Sequence, residues 1–314
     1  ENFRTAMAWL LEHRGADSLL LVLRLWRAWF GRGQLDEAER WVQAALEAGH
    51  DAPPRARAMM QGILGEFPRF RGEHERAIEL KEAALCAARK IGDQRNVKAL
   101  LCDMADSFAA IGELERADEL AAEALAIEEG AGDPRQSRAL ATAAELAMLR
   151  NDYTEALRRY EQILEIIRPY QEEETSSYVW VMGCLGECFR KIGHEQNAIA
   201  AFREGIRAAL DSRILTWLHY VLQGVAALAE PTEPHRGAVT LAASEATRSS
   251  MGLADDVGEY PKIEFALRAR LGPSDFDAAY ADGAALSIDE AAAYALETLD
   301  AISRDARVVT ARES

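Results

Sequence analysis

This sequence is short of most things that carry chemistry or cross membranes. It has four cysteines, six histidines, nine prolines and only 7% aromatic residues in 314 positions. The cysteines, Cys86, Cys102, Cys184 and Cys188, form no CxxC. Cys184 and Cys188 lie one turn apart, which gives too few ligands for a structural zinc site. Buried free cysteine acts as a small hydrophobe, so four reduced thiols in a cytoplasmic protein are expected. The histidines are scattered, with no HExxH motif, and there is no GxSxG elbow, GxxxxGK[ST] phosphate loop or GxGxxG turn. No catalytic residue, metal or cofactor is therefore assigned, and the chain reads as no enzyme. No run of 18 apolar residues occurs, so no membrane helix is expected. Positive charge is also in deficit, 36 Lys+Arg against 52 Asp+Glu, for a net charge of −16. Such a surface repels phosphate backbones, and direct nucleic-acid binding is not expected.

What the sequence does have is alanine, helix-forming residues and a repeat. Apolar residues make up 49% of the chain, with few Val-Ile-Thr alternations, which predicts an all-α fold. IGELERADELA (111–121) returns as IGHEQNAIAAF (192–202). The same punctuation recurs through the chain, with alanines at Ala38, Ala77, Ala117, Ala156, Ala198 and, more weakly, Ala238. Successive spacings are 39, 40, 39, 42 and 40 residues. Five residues before the first five alanines stand Gly33, Gly72, Gly112, Asn151 and Gly193. Glycine and asparagine accept the left-handed conformation that ends a helix. Each unit is therefore helix, tight turn, helix, with the alanine at the close contact between the two. Leu64-Gly65, Met104-Ala105, Ala143-Ala144 and Leu185-Gly186 mark the first helix, and Tyr160 and Phe202 follow the alanine in the second.

This Leu-Gly, aromatic, Gly, Ala, aromatic pattern resembles the tetratricopeptide repeat, whose usual period is ~34 residues. The resemblance implies a right-handed α-solenoid of helical hairpins. We expect a leading helix and about six pairs over residues 1–251, a short helical cap over 252–303, and a disordered tail over 304–314. Helices are expected at 2–14, 17–32, 34–48, and in pairs at about 54–90, 94–131, 135–170, 175–211 and 213–251. Three more follow at 261–271, 273–282 and 287–300, the last opened by a Ser287–Glu290 capping box. Pro54 and Pro134 are placed at helix starts.

In the frame of that family the first helices line a concave groove. The frame puts Glu66, Asp106, Glu145 and Glu187 at one repeated position, an acidic stripe across four units. Arg69 and Arg190 share a second position, and Arg138, Trp180 and Tyr220 a third, with Gln223 nearby. These ten residues are the predicted ligand or partner groove. Carboxylates accept hydrogen bonds from hydroxyls or amines, and aromatic faces take rings, sugars or cations. The same residues also allow plain intrahelical pairs, Glu66 with Arg69 and Glu187 with Arg190, on a solvated face.

Three further stretches, ENFRTAMAWLLE (1–12), AVTLAASEATRSSMG (238–252) and DFDAAYADGAALSIDEAAAYALE (275–297), resemble segments of STAND-class regulators with LuxR-type or similar outputs. Those are multidomain signal-transduction ATPases in which a repeat array senses a signal. The resemblance implies a sensor region taking a small-molecule inducer or a regulatory protein or peptide in the groove, and contacting an upstream ATPase and winged-helix part of the same parent. Starting at Glu1 without Met, the chain reads as a fragment of that parent. The other reading is an interaction scaffold with no small ligand, mediating oligomerisation or contact with other domains of the parent.

Overall fold

The computed structural model describes residues 2–30, 35–127, 137–170, 175–215, 217–250 and 259–313; of 2, 3, 27–30, 35 and 305–313 only the backbone is described. All regular structure among these residues is helical. The order is α1 (Asn2–His13), α2 (Gly15–Phe30), α3 (Leu35–Ala48), α4 (Pro54–Leu64), α5 (Glu66–Phe70), α6 (His74–Lys90), α7 (Gln94–Ala110), α8 (Leu114–Ala126) and α9 (Ser137–Leu149). Then come α10 (Tyr153–Ile167), α11 (Thr175–Lys191), α12 (Glu195–Ser212), α13 (Leu218–Ala229), α14 (Pro234–Ser250), α15 (Tyr260–Leu271), α16 (Pro273–Ala284) and α17 (Ile288–Glu313).

The repeat alanines set the hairpin geometry. Ala38, Ala77, Ala117, Ala156, Ala198 and Ala238 are all fully buried. A larger side chain at these places would hold the paired helices apart, and packing at native density leaves no room for it. The turns use the predicted device: Gly72, Gly112 and Gly193 have φ of 77°, 86° and 79°, and Asn151 takes φ 60° in their place. Asparagine tolerates this region because its short polar side chain bonds locally; here Asn151 Oδ1 accepts from the Tyr153 hydroxyl at 2.8 Å. The Gly33 turn and the helix start at Pro134 lie outside the described residues.

Two boundaries differ from the sequence expectation. The first helix of the second pair is broken into α4 and α5 around Gly65. Pro68 accounts for the break: it has no N–H to give the Leu64 carbonyl, and its ring crowds that carbonyl. At the other end, α17 continues to Glu313 rather than ending near 300. Its start is the predicted capping box. Glu290 Oε2 accepts from the Ser287 backbone N–H at 2.8 Å, while Ser287 Oγ accepts from the Glu290 N–H at 3.4 Å.

The chain divides into two compact units, Glu1–Leu146 and Ala147–Ser314. The first unit holds two cores. Met7, Leu19, Val22, Val42, Met60 and Phe67 join α1–α5, and Leu85, Leu100, Leu101, Met104, Leu120 and Leu146 join α6–α9. In the second unit Phe202, Ile206, Leu218, Val221 and Leu222 pack with Leu299 and Ile302 of α17. A further cluster places Leu241 of α14 against Ile263, Leu267 and Phe276 of α15 and α16. The C-terminal helices thus share apolar clusters with the last repeat-like pair. All four cysteines are free, and only Cys86 is exposed.

Candidate functional site

The third frame position is exposed in the first unit, while Trp180 and Tyr220, which hold it in the second, are half-buried. At the frame position occupied by Arg138, the chain also places Leu20, Met59 and Ala99, and all four are exposed. Gly65, Ala105, Ala144 and Gly186, at the small-residue position, are all buried against the second helices. The residue after each of these is a predicted acid. Glu66 and Glu187 are buried, and Asp106 and Glu145 are half-buried.

In the first unit five predicted residues meet: Glu66 and Arg69 from α5, Asp106 from α7, Arg138 and Glu145 from α9. The Arg69 guanidinium donates from Nε and Nη2 to Glu66 Oε2 at 3.0 and 2.7 Å. Arg138 Nη2 donates to Asp103 Oδ1 at 3.2 Å and to Asp106 Oδ2. The assembly is completed by two residues that the groove frame missed. Lys81 of α6 is fully buried, and its ammonium donates to Glu66 Oε1 and, at 2.9 Å, to Asp103 Oδ2.

Lys81 had a legible signal. It stands four residues after Ala77, the place that Tyr160 and Phe202 hold after Ala156 and Ala198. In the second unit the Phe202 ring lies over Gly186, where a Cβ would approach it to 2.4 Å. In the first, the Lys81 stem lies over Gly65 in the same way, where a Cβ would come within 2.7 Å of Cγ. The aliphatic chain fills an aromatic slot and carries a charge through it to the far side, as long amphipathic side chains can.

The electrostatics follow from this wiring. Burial pushes the Asp103 carboxyl up, but the Lys81 ammonium and the Arg138 guanidinium outweigh it and hold the group down at about 2. Arg138 is kept charged: burial works against it, and Asp106, Asp103 and Glu145 more than compensate. Glu145 is the odd member. It faces Asp106, Arg138 and Arg69, but no hydrogen bond or ion pair reaches its carboxyl. Burial, and then the neighbouring Asp106 carboxylate, raise it to about 7 against the pull of the two arginines. Four carboxylates meet three cations, and the bonds of those cations all go to the other three acids: Arg69 to Glu66, Lys81 to Glu66 and Asp103, and Arg138 to Asp103 and Asp106.

In the second unit the structure brings together Trp180, Glu187 and Arg190 of α11 with Tyr220 and Gln223 of α13. Glu187 accepts from Arg190 Nε and Nη2 at 2.8 and 2.6 Å, with Lys191 Nζ 3.7 Å away. The intrahelical pairing allowed by the sequence is therefore formed at both Glu66 and Glu187. Trp180 meets Tyr160 edge-on, with centroids 5.6 Å apart, and Trp217 at 6.3 Å. The Tyr220 ring lies over Gly183, whose added Cβ would sit 2.8 Å from it. Burial raises the Tyr220 hydroxyl well above its ordinary value, and the hydroxyl bonds to Cys184. Gln223 is 6% exposed and its amide nitrogen has no partner. Among the described residues no group of His, Cys, Asp and Glu could hold a metal ion, and no helix is long and apolar enough to cross a membrane.

Helical hairpins repeating every 39 to 42 residues, each closed on a buried alanine, define an all-α tetratricopeptide-like solenoid. Residues 135–211 match the tetratricopeptide repeat family. Similar solved structures share this fold at low identity. BtubC (BKLC) from P. vanneervenii is 19% identical, covering 67% of this chain and 88% of that one, with a TM-score of 0.56. A Rap protein complexed with competence and sporulation factor is 13% identical over 87% and 78%, with a TM-score of 0.59. A chain of the APC/C hetero-tetramer Cut9–Hcn1 is 13% identical over 90% of this chain and 46% of that one, with a TM-score of 0.53. A search of curated protein sequences gave no match.

Proposed function

We propose that this chain is the partner-binding repeat region of a larger STAND-class regulator, and that it docks a basic segment of a protein or peptide on the first-helix face of its first unit. The observation carrying this reading is the Glu145 carboxyl, left without a cation in a network that satisfies its three other acids. A lysine or arginine side chain from a partner would complete the set and release the proton that Glu145 otherwise holds. Charge-assisted bonds of this kind are about twice as strong as neutral ones. Two of the similar structures are complexes, one with competence and sporulation factor and one of Cut9 with Hcn1, which supports docking as the use of such a scaffold. The parent assignment rests on the resemblance of 1–12, 238–252 and 275–297. Trp9, 52% exposed and stacked on His13 at 4.9 Å, supports a contact with an upstream part of that parent.

The test is binding of neutral and basic peptides of one length, read by calorimetry at pH 8. Basic peptides should bind at least tenfold tighter, and Glu145→Gln should remove the preference. Equal affinity for the two sets, or a preference untouched by Glu145→Gln, overturns the reading.

A further inference from the structure

The second helices of the first unit carry a surface that the basic-segment reading does not use. A groove of about 720 Å³ runs between α6 and α8. Leu85, Met104 and Leu120 are its buried floor, and Cys86 stands on its rim. Two ion pairs there are already closed: Arg89 of α6 with Glu123 of α8, and Arg116 with Glu119 at 2.5 Å. The ridge of α6 beside the groove is not closed in this way. Glu79, Glu82, Ala83, Cys86 and Lys90 are all exposed. Among the described residues no hydrogen bond or ion pair reaches Glu79, Glu82 or Lys90. Glu82, Cys86 and Lys90 stand at i, i+4 and i+8 on one face, with about 12 Å of helix between the two charges. The ridge is thus acidic on the N-terminal side of Cys86, small and apolar at Ala83 and Cys86, and basic at its end.

We propose that this ridge and groove form a two-fold contact with a second copy of the chain. A surface whose charge changes sign about its own midpoint complements itself when turned through 180°. With Cys86 at the axis, Glu82 of each copy meets Lys90 of the other, and the small residues Ala83 and Cys86 lie over the apolar floor of the other groove. A uniformly basic or uniformly acidic partner would match one half of the ridge and be repelled by the other. That sign change is why the occupant is a second copy. Both copies carry a net charge of −16. At about 0.15 M salt their repulsion is screened beyond about 8 Å, while pairs in contact keep their attraction. The inference goes beyond the basic-segment reading and does not depend on it, because Glu145 of α9 lines neither the ridge nor the groove.

The test is sedimentation of the whole chain at rising concentration, in reductant and about 0.15 M salt. The wild type should show a monomer–dimer equilibrium. Glu82→Lys and Lys90→Glu each set like charges together twice, once on either side of the axis, and should weaken the dimer at least tenfold. The double variant restores every pair with its signs exchanged, so its Kd should return to within about threefold of the wild type. All these positions are exposed, and the Tm should not move. A short bismaleimide should join two chains through Cys86, the exposed thiol, and its yield should fall in either single variant and recover in the double. A chain that stays monomeric overturns the proposal. So do single variants that dimerise like the wild type, a double variant no tighter than the singles, or a cross-linking yield indifferent to the charges. No peptide is present, so failure here leaves the basic-segment reading standing.

Discussion

Glu145 and Asp103 are acids of one network pushed in opposite directions, and each leaves a mark on stability. Glu145 has a folded pKa of about 7, above its ordinary 4.5. The folded chain therefore holds a proton there that the unfolded chain has lost, and stability falls as pH rises from about 4.5 to 7. Glu145→Gln should match the wild type at pH 5 and melt at a higher temperature at pH 8. A wild-type melt at both pH values would place the carboxylate in a satisfied environment. Asp103, held at about 2, contributes with the other sign: its stabilisation is present above its ordinary pKa of 3.8 and is lost as pH falls toward 2. Lys81→Met leaves Glu66 and Asp103 facing each other without their buried cation. Breaking such a pair costs about 3–5 kcal/mol, measurable by urea unfolding at pH 7. A loss below 1 kcal/mol would mean that the two acids find other partners. At this scale the sequence was half legible. The frame located Glu66, Arg69, Asp106, Arg138 and Glu145, because a repeat puts equivalent residues on one face. It missed Lys81, since periodicity marks that slot as core, and Asp103, since nothing in the first helix distinguishes it. Periodicity also could not separate an open acid from one already bonded within its helix, which is the state of Glu187.

Helices and turns were easier to read than side chains. Their signals are local: the alanine at each close contact, glycine or asparagine at each left-handed turn, and the Ser287–Glu290 box all act within a few residues. The break around Gly65 was written in Pro68 just as locally, but the repeat pattern masked it by predicting one continuous helix. Two substitutions test the hairpin geometry. Ala156→Asp buries a charge in a fully occluded contact and should cost more than about 4 kcal/mol, or prevent folding. Gly186→Ala drives a methyl toward the Phe202 ring and should cost about 1–3 kcal/mol by overpacking. A neutral result for either, read as an unchanged denaturation midpoint, would shift the repeat frame.

Over the whole molecule the dominant property is charge. At −16, the chain would attract the basic partner proposed above through its long-range field, and salt screens that field beyond about 10 Å at 0.1 M. Association with a basic peptide should therefore slow as ionic strength rises from 50 to 300 mM, with dissociation changing less. Stopped-flow rates test this; an association rate indifferent to salt would restrict the attraction to the immediate contact. Fold class was legible at this scale because composition and period both report on the entire chain. The partner was not, because a surface of mixed charges encodes it only through which group is left unbonded.

The close approach of the Tyr160, Trp180 and Trp217 rings gives the second unit an optical property of its own. Rings this close pass excitation from tyrosine to tryptophan and between indoles. Light absorbed at Tyr160 is then emitted partly at Trp217, the more exposed end of the relay. Anything that displaces water from that ring shifts its emission to shorter wavelength. The protein thus carries an intrinsic, label-free reporter at the start of α13, and the colour of its fluorescence can follow any event that covers Trp217 in real time.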